Sequence, residues 1–227
     1  MKILKLSLLL LSITSISFAQ GFRQTQTDSY TRYELLNPSN QSFRIIYDVS
    51  ATTAGATKYF NGLRVGSEHL VDAVWDLMTG KELNWEIVNG VKAKENGLSN
   101  ANEAGEYLMV DLARPVPEGG QARIRIDKTY KDVNSYYQED GTIVFDRSLG
   151  IKRNSVVLPL GYELVGANYP SQVTQEEDGR IKVSFMNEGP AGVPYKVTAR
   201  LASNMKYVAP SKRSEEHTSE LQSHLNL

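Results

Sequence analysis

An alternation of apolar and polar residues with a period of two is the feature that most constrains the fold of this chain. It is clearest in residues 121–130, where three apolar side chains alternate with three charged ones: Ala122, Arg123, Ile124, Arg125, Ile126 and Asp127. The same alternation occurs in four further segments, residues 43–51, 106–112, 180–187 and 194–202. Because successive side chains of a β-strand point to opposite faces of the sheet, these segments predict half-buried strands.

Turn residues separate the predicted strands. Asp140–Gly141 and Asp178–Gly179 are the kind of pair that tight hairpins favour, and Gly80 and Gly119–Gly120 lie between other strand-like runs. Only residues 88–98 look helical, for a turn or two at most. The chain is therefore predicted to be an all-β antiparallel β-sandwich, built as one extended sandwich or as two packed lobes, with at most one short helix.

Residues 1–19 have the features of a secretory signal peptide. Two lysines come before an apolar run that is too short to span a bilayer, which takes about 20 residues. Small side chains precede a cleavage point between Ala19 and Gln20. We therefore expect an exported protein, periplasmic or extracellular, with a signal of bacterial style and no membrane span after cleavage.

The rest of the chain divides into two lobes and a tail. Residues 20–131 are the first predicted lobe, residues 132–208 are the second, and residues 209–212 look like the start of a linker. Residues 213–227 begin with RSEEHTSELQSH, which resembles the in-frame translation of a common sequencing adapter. We therefore expect this tail to be non-native, and the natural protein to continue differently after residue 212.

Composition excludes several classes of function. The 227 residues carry 25 basic and 26 acidic side chains, for a net charge of −1, and the basic residues are scattered along the chain. A nucleic-acid partner is not expected, because binding to the phosphate backbone needs an excess or a patch of positive charge. The chain has no cysteine, so disulfides and thiolate chemistry are excluded as well.

No catalytic residue, metal ligand or cofactor is predicted in this fragment. The chain has three histidines, and since His217 and His224 fall in the adapter-like tail, His69 remains. A catalytic zinc ion commonly takes histidines together with a carboxylate, and a serine nucleophile normally needs a histidine base. The motifs HExxH and GxSxG and the phosphate-binding glycine loop are absent, and His69 is predicted to lie at a strand edge.

Aromatic residues supply the candidates for binding. The loop-like stretch NSYYQ contains Tyr136 and Tyr137, which are expected to be exposed and are the predicted contacts for a glycan or a protein partner. Trp75 and Trp85 flank the turn at Gly80 at matching distances. For these two residues, core packing or a cross-strand pair in a hairpin is expected rather than contact with a ligand.

Three stretches follow one another in an order found in a known protein family. They are WDLMTGKELNW at 75–85, YLMVDLARPVPEGGQARIRIDKTY at 107–130 and VVLPLGYELVGANYPSQVTQEEDGRIKVSFMNEGPAGVPY at 156–195. This order resembles the N-terminal, non-catalytic β-domain of exported aminopeptidase N-type zinc metallopeptidases. Where that family usually has a CxDxP-like segment, this chain has IVFDRSLGIKRN at 143–154. The resemblance implies that zinc and the catalytic residues belong to a downstream domain, so no catalytic residue is carried over to this chain.

These observations leave three functional hypotheses open. The first is a non-catalytic accessory β-domain of a larger exported protein, a truncated metallopeptidase-like one, whose partner is the downstream domain of its own chain. If the full-length protein is an enzyme, the active site lies in that missing part. The second hypothesis is a secreted module that binds a glycan or a protein. The third is a structural domain of the cell envelope.

Overall fold

The computed structural model describes residues 21–64 and 67–203. In this part of the chain fifteen strands form three sheets, accompanied by one α-helix and one 3-10 turn. The predicted all-β class, the antiparallel sandwich and the single short helix are confirmed. The predictions for residues 1–19, 209–212 and 213–227 lie outside the described residues.

The largest sheet has eight strands. In spatial order they are β13 (Gln172–Gln175), β14 (Ile181–Met186), β11 (Arg153–Val157), β1 (Gln26–Leu35), β2 (Ser42–Ala51), β8 (Ala122–Lys131), β4 (Glu68–Asp76) and β5 (Lys81–Glu82). Neighbouring strands pair antiparallel except β1 and β11, which run parallel.

Two smaller sheets pack against the large one. The four-stranded sheet has the order β12 (Tyr162–Ala167), β15 (Val193–Leu201), β10 (Thr142–Leu149) and β9 (Tyr136–Glu139). The three-stranded sheet has the order β3 (Lys58–Leu63), β7 (Glu106–Asp111) and β6 (Trp85–Asn89). All of these pairs are antiparallel.

The helix and the 3-10 turn are both short. Helix α1 (Gly90–Glu95) begins after Asn89, whose side-chain oxygen accepts a hydrogen bond of 2.8 Å from the backbone N–H of Lys92. The 3-10 turn spans Pro38–Asn40. Helix α1 lies within the predicted helical segment 88–98. No helix in the described part of the chain is both long and apolar enough to cross a membrane.

The five strands predicted from alternation correspond to β2, β7, β8, β14 and β15, and their ends shift by no more than one residue. The boundary between residues 20–131 and 132–208 stays a prediction. The eight-stranded sheet takes β1, β2, β4, β5 and β8 from before that boundary and β11, β13 and β14 from after it. One sheet therefore spans both predicted lobes.

Inward-facing side chains of the three sheets form the main apolar core. At its centre the ring of Phe145 on β10 lies 5.2 Å from that of Tyr33 on β1 and 5.4 Å from that of Phe43 on β2, measured between centroids. All three side chains are buried. Tilted and edge-on aromatic contacts at this distance add to the stabilisation from burial. These aromatic contacts stabilise the packing of the four-stranded sheet on the large one.

The outer face of the large sheet carries ion pairs between neighbouring strands. Both Nε and Nη2 of Arg125 on β8 donate to the Asp48 carboxylate on β2 at 2.7 Å. Arg44 on β2 pairs in the same way with Asp127 on β8. In these two pairs an outward charge on β8 is matched by an opposite charge on the neighbouring strand β2, which stabilises the sheet.

The hairpin between β9 and β10 provides a test of the turn. Asp140 and Gly141 have φ angles of 48° and 76°, a region in which a Cβ atom is unfavourable. We expect Gly141→Ala to lower the free energy of unfolding by about 1 kcal/mol. Gly166→Ala is the matched control, because that Cβ meets open space and the φ angle of Gly166 lies outside the left-handed region. Equal urea midpoints for the two variants would contradict the expectation.

Candidate functional site

A cavity of about 520 Å³ lies where the three sheets meet, and we call it the inter-sheet pocket. The large sheet contributes residues of β1, β2 and β8, the three-stranded sheet contributes β3, and the four-stranded sheet contributes β10. Polar or charged side chains in its lining include Thr31, Tyr33, Arg64, Lys128, Tyr130 and Arg147. The size of the pocket suits a small molecule.

Two of these basic residues occupy inward positions of their strands. On β8 the inward-facing series Ala122, Ile124 and Ile126 continues with Lys128. On β10 the buried series that includes Phe145 continues with Arg147. Strand geometry therefore forces both side chains into the space between the sheets, because residues two apart share a face.

Lys128 is buried without a counter-ion. The residue is 5% exposed to solvent. Its Nζ donates a hydrogen bond of 2.5 Å to the side-chain oxygen of Asn61 on β3. The ammonium group also lies 5.4 Å from the centre of the Tyr130 ring. Burial, together with the charge of Arg147, lowers the pKa of Lys128 from its ordinary 10.5 to about 7. Within residues 21–64 and 67–203 no carboxylate forms an ion pair with it.

Arg147 is buried too, but it has a carboxylate partner. Its Nη1 donates to the Asp132 carboxylate at 3.0 Å and to the Ser135 hydroxyl at 3.2 Å. The guanidinium carbon lies 5.3 Å from the centre of the Phe43 ring and 5.5 Å from that of Tyr130. Burial lowers the pKa of Arg147. The Arg147 side chain is therefore held firmly, with its charge partly compensated on one side.

Arg64 completes the set of cations at the more open end of the pocket. Its side chain is 44% exposed, and its Nε lies 3.8 Å from the Asp132 carboxylate. Its backbone N–H donates to the Tyr130 hydroxyl at 3.4 Å. Asp132 thus faces two arginines, and Lys128 has no acidic partner among the described residues.

Tyrosine hydroxyls supply the neutral polar groups. Gln26 links two of them, donating to the Tyr47 hydroxyl at 2.9 Å and accepting from the Tyr59 hydroxyl at 2.6 Å. Burial raises the pKa of Tyr33 to about 12 despite the neighbouring charge of Arg147, so this hydroxyl stays protonated at neutral pH. The hydroxyl of Thr31 is buried and has no hydrogen-bond partner in the described part of the chain.

The pocket is therefore cationic, and its chemistry differs from that of a metal site. Three basic side chains line it, and none of the described lining residues is acidic. Over the described ranges no group of three histidine, aspartate or glutamate side chains is arranged to hold a metal ion. Ammonium and guanidinium groups donate hydrogen bonds and have no acceptor, so they can hold an anion, and the neighbouring hydroxyls can donate to the same anion.

The structure contradicts the expected exposure of Tyr136, whereas Tyr137 is partly exposed. Both residues lie in the edge strand β9 rather than in a loop. Tyr136 is fully buried, and its hydroxyl donates to the carbonyl oxygen of Leu36 at 3.0 Å, so the predicted exposure is wrong for this residue. Tyr137 is partly exposed. A role of the two residues in glycan or protein binding stays a prediction.

The expectations for the tryptophans and for His69 have different outcomes. Trp75 on β4 of the large sheet lies opposite Glu82. Trp85 is on β6 of the three-stranded sheet and lies opposite Val110. The prediction of a cross-strand tryptophan pair is therefore wrong. His69 is on β4, where β5 pairs with residues 75–76 alone, so it lies at a strand edge as predicted.

Sequence reasoning missed Lys128 and Arg147, although a signal for them exists. In each strand a basic residue takes a position in phase with the apolar series. Such a residue must be buried if the strand keeps its register, because a shift by one residue would move the whole apolar set to the other face.

Comparison with known proteins gives a likeness of fold. No family model matches the chain, and no curated protein matches it. Among solved structures, the fold is similar to that of M1 zinc metallopeptidases. An M1 zinc metallopeptidase from Deinococcus radiodurans matches with a TM-score of 0.51 and 12% identity, over 80% of this chain and 43% of that one.

Two related structures give the same result. A two-domain M1 zinc metallopeptidase mutant bound to L-tryptophan matches with a TM-score of 0.50 and 12% identity, over 80% of this chain and 44% of that one. A mutant of the Deinococcus radiodurans protein bound to a Tyr-Ser-Ala substrate matches with a TM-score of 0.50 and 12% identity, over 78% of this chain and 42% of that one. This chain thus spans less than half the length of these structures. The resemblance expected from the sequence is confirmed at the level of fold.

Proposed function

We propose that this chain is the non-catalytic accessory β-domain of a larger exported protein of the zinc metallopeptidase kind. The observation that carries the proposal is the fold likeness, which covers about four-fifths of this chain but 42–44% of the metallopeptidase structures. In a two-domain arrangement, the partner of this domain is a second domain of its own chain, and that second domain holds the zinc and the catalytic residues.

The chemistry of the inter-sheet pocket supports a non-catalytic role. Catalytic zinc needs histidine or carboxylate ligands and an open coordination position. The pocket offers lysine, arginine and tyrosine side chains instead. His69, the single histidine of the described residues, is the second residue of β4, and its Nε2 lies 3.4 Å from one carboxylate, that of Glu106.

An independently cloned gene tests the proposal. Its reading frame, followed beyond residue 212, is expected to encode HExxH and a more distal glutamate in place of the adapter-like tail. The 227-residue chain is expected to release no product from aminoacyl p-nitroanilides, with or without added zinc. A stop codon shortly after residue 212, or zinc-dependent hydrolysis by this chain itself, would contradict the proposed function.

Export is part of the same proposal and has its own test. The lysines, the short apolar run and the small residues of segment 1–19 support cleavage before Gln20. Expressed in a Gram-negative bacterium, the full chain is expected in the periplasmic fraction with Gln20 as its first residue. Fractionation followed by mass spectrometry of the N-terminal peptide measures both. Ala19→Arg is the control that should block cleavage, and an uncleaved cytoplasmic parent would exclude export.

A further inference from the structure

The inter-sheet pocket has a charge imbalance that the proposed function does not explain. Lys128, Arg147 and Arg64 line it and no described lining residue is acidic. Over the described ranges, Asp132 is the one carboxylate that forms an ion pair with any of the three. We propose that the pocket binds a small organic oxyanion, a carboxylate or a phosphate monoester, through Lys128, Arg147 and Arg64. This inference is independent of the accessory-domain proposal.

The position of Lys128 is the strongest argument for an anion. In the sheet, Lys128 lies between Ile45 on β2 and Val71 on β4, both buried and apolar. A buried ammonium group is strongly unfavourable unless an opposite charge compensates it. Two arginines on the large sheet do have such partners on neighbouring strands, Arg125 with Asp48 and Arg44 with Asp127. Lys128 has one neutral acceptor, Asn61, so an ammonium N–H remains for a ligand.

A second, independent observation is the hydroxyl of Thr31. This residue is 2% exposed and lines the same pocket, and its Oγ1 has no hydrogen-bond partner among residues 21–64 and 67–203. Buried hydroxyls are ordinarily hydrogen-bonded, so an unpaired one calls for a partner. A hydroxyl can donate to an oxyanion, as can the protonated Tyr33 hydroxyl on the same face of β1. The pocket therefore combines cationic donors from β8 and β10 with neutral donors from β1.

The shape of the pocket favours an organic ligand over a bare inorganic ion. Its 520 Å³ exceed the volume of a phosphate or acetate ion several-fold, and its lining includes Ile45, Leu63 and several tyrosine rings. Binding sites for small molecules combine such apolar walls with a few placed polar groups. Benzoate and phenyl phosphate have this chemistry, with one anionic head and one apolar body, and they are suitable probes.

Calorimetric titration of the full chain with benzoate, phenyl phosphate and benzyl alcohol tests the proposal. We expect saturable binding of at least one of the two anions and none of benzyl alcohol. Lys128→Met keeps the length of the side chain and removes its charge, and it is expected to weaken binding at least tenfold. Lys131→Met on the same strand is the matched control, because Lys131 is about half exposed and pairs with Glu68; its affinity should stay within twofold of the parent.

A second variant separates loss of binding from a change of fold in Lys128→Met. Arg64→Gln alters a partly exposed side chain and is expected to weaken anion binding three- to tenfold while its unfolding midpoint stays close to that of the parent. The proposal is overturned if neither anion binds the parent, which would leave a carboxylate side chain from another protein segment as the remaining source of compensation. It is also overturned if Lys128→Met and Arg64→Gln both bind as tightly as the parent.

Discussion

Lys128→Met is expected to stabilise the folded chain by about 3 kcal/mol at pH 7 in a buffer without organic anions. Burial and the charge of Arg147 lower the pKa of Lys128 from 10.5 to about 7, and lowering a pKa by one costs the charged form about 1.4 kcal/mol of stability. Methionine fills the same space between Ile45 and Val71 without a charge. The gain is smaller than the full cost of burying the charge, because Asn61 loses its hydrogen-bond donor.

The same group predicts how stability depends on pH. Between the folded pKa near 7 and the unfolded pKa near 10.5, the unfolded chain binds more protons at this site than the folded chain. Stability therefore rises with pH across this window, and the gain is lost as pH falls to 7. From pH 7 to 9.5 the parent is expected to gain about 3 kcal/mol, and Lys128→Met should show no such rise.

The window ends near pH 9.5 because two buried tyrosines of the pocket, Tyr33 and Tyr59, change stability in the opposite direction at higher pH. The titratable or charged residues that line it with Lys128 are Tyr33, Tyr47, Tyr59, Arg64, Tyr130 and Arg147. Burial raises the pKa of Tyr33 to about 12 and that of Tyr59 well above its usual value. Unfolded tyrosines lose their protons first, so stability falls again above pH 10.

Urea unfolding of the parent, Lys128→Met and Lys131→Met at pH 7.0, 8.25 and 9.5 measures both effects. Lys131 lies near the end of the same strand and is about half exposed, so its variant should follow the pH profile of the parent. A Lys128→Met variant less stable than the parent at pH 7, or one that keeps the full rise with pH, would contradict the burial of an uncompensated charge.

Local pattern was sufficient for five of the fifteen strands and for the turn at Asp140–Gly141. A period of two is a property of consecutive residues, and positive φ at Asp140 and Gly141 depends on those two residues. The joining of strands into sheets is not local. Nothing in residues 26–35 or 153–157 indicates that β1 and β11 run parallel side by side.

The candidate site was missed for the same reason. Lys128 and Arg147 come from strands of different sheets, and they meet because the four-stranded sheet packs on the large one through Phe145 and its neighbours. Tyr136 was predicted to be exposed because the residues before it resemble a loop, yet the hairpin draws it into β9, where its hydroxyl reaches Leu36. Burial at these positions is decided by contacts between distant parts of the chain.

Asp132→Asn is expected to lower the free energy of unfolding by about 3 kcal/mol at pH 7, the opposite sign to Lys128→Met. Asp132 and Arg147 are both buried and lie 3.0 Å apart, and the substitution leaves the guanidinium buried without its counter-ion. The Ser135 hydroxyl also donates to this carboxylate, at 2.7 Å. Burial acts to raise the pKa of Asp132, but the hydrogen bond from Ser135 and the charges of Arg147 and Arg64 outweigh it, so the pKa is lowered.

A lowered pKa fixes the sign of the acid response at Asp132. The stabilisation is present above the unfolded pKa of about 3.9 and is lost as pH falls through the lower folded pKa. Asp111→Asn, at a more than half-exposed carboxylate paired with Lys58, is the matched control and should cost less than about 1 kcal/mol. Adding Arg147→Gln to Asp132→Asn should recover about 2 kcal/mol, because it removes the unpaired charge. Additive losses in that double variant would show that shape, rather than charge, holds this corner of the pocket together.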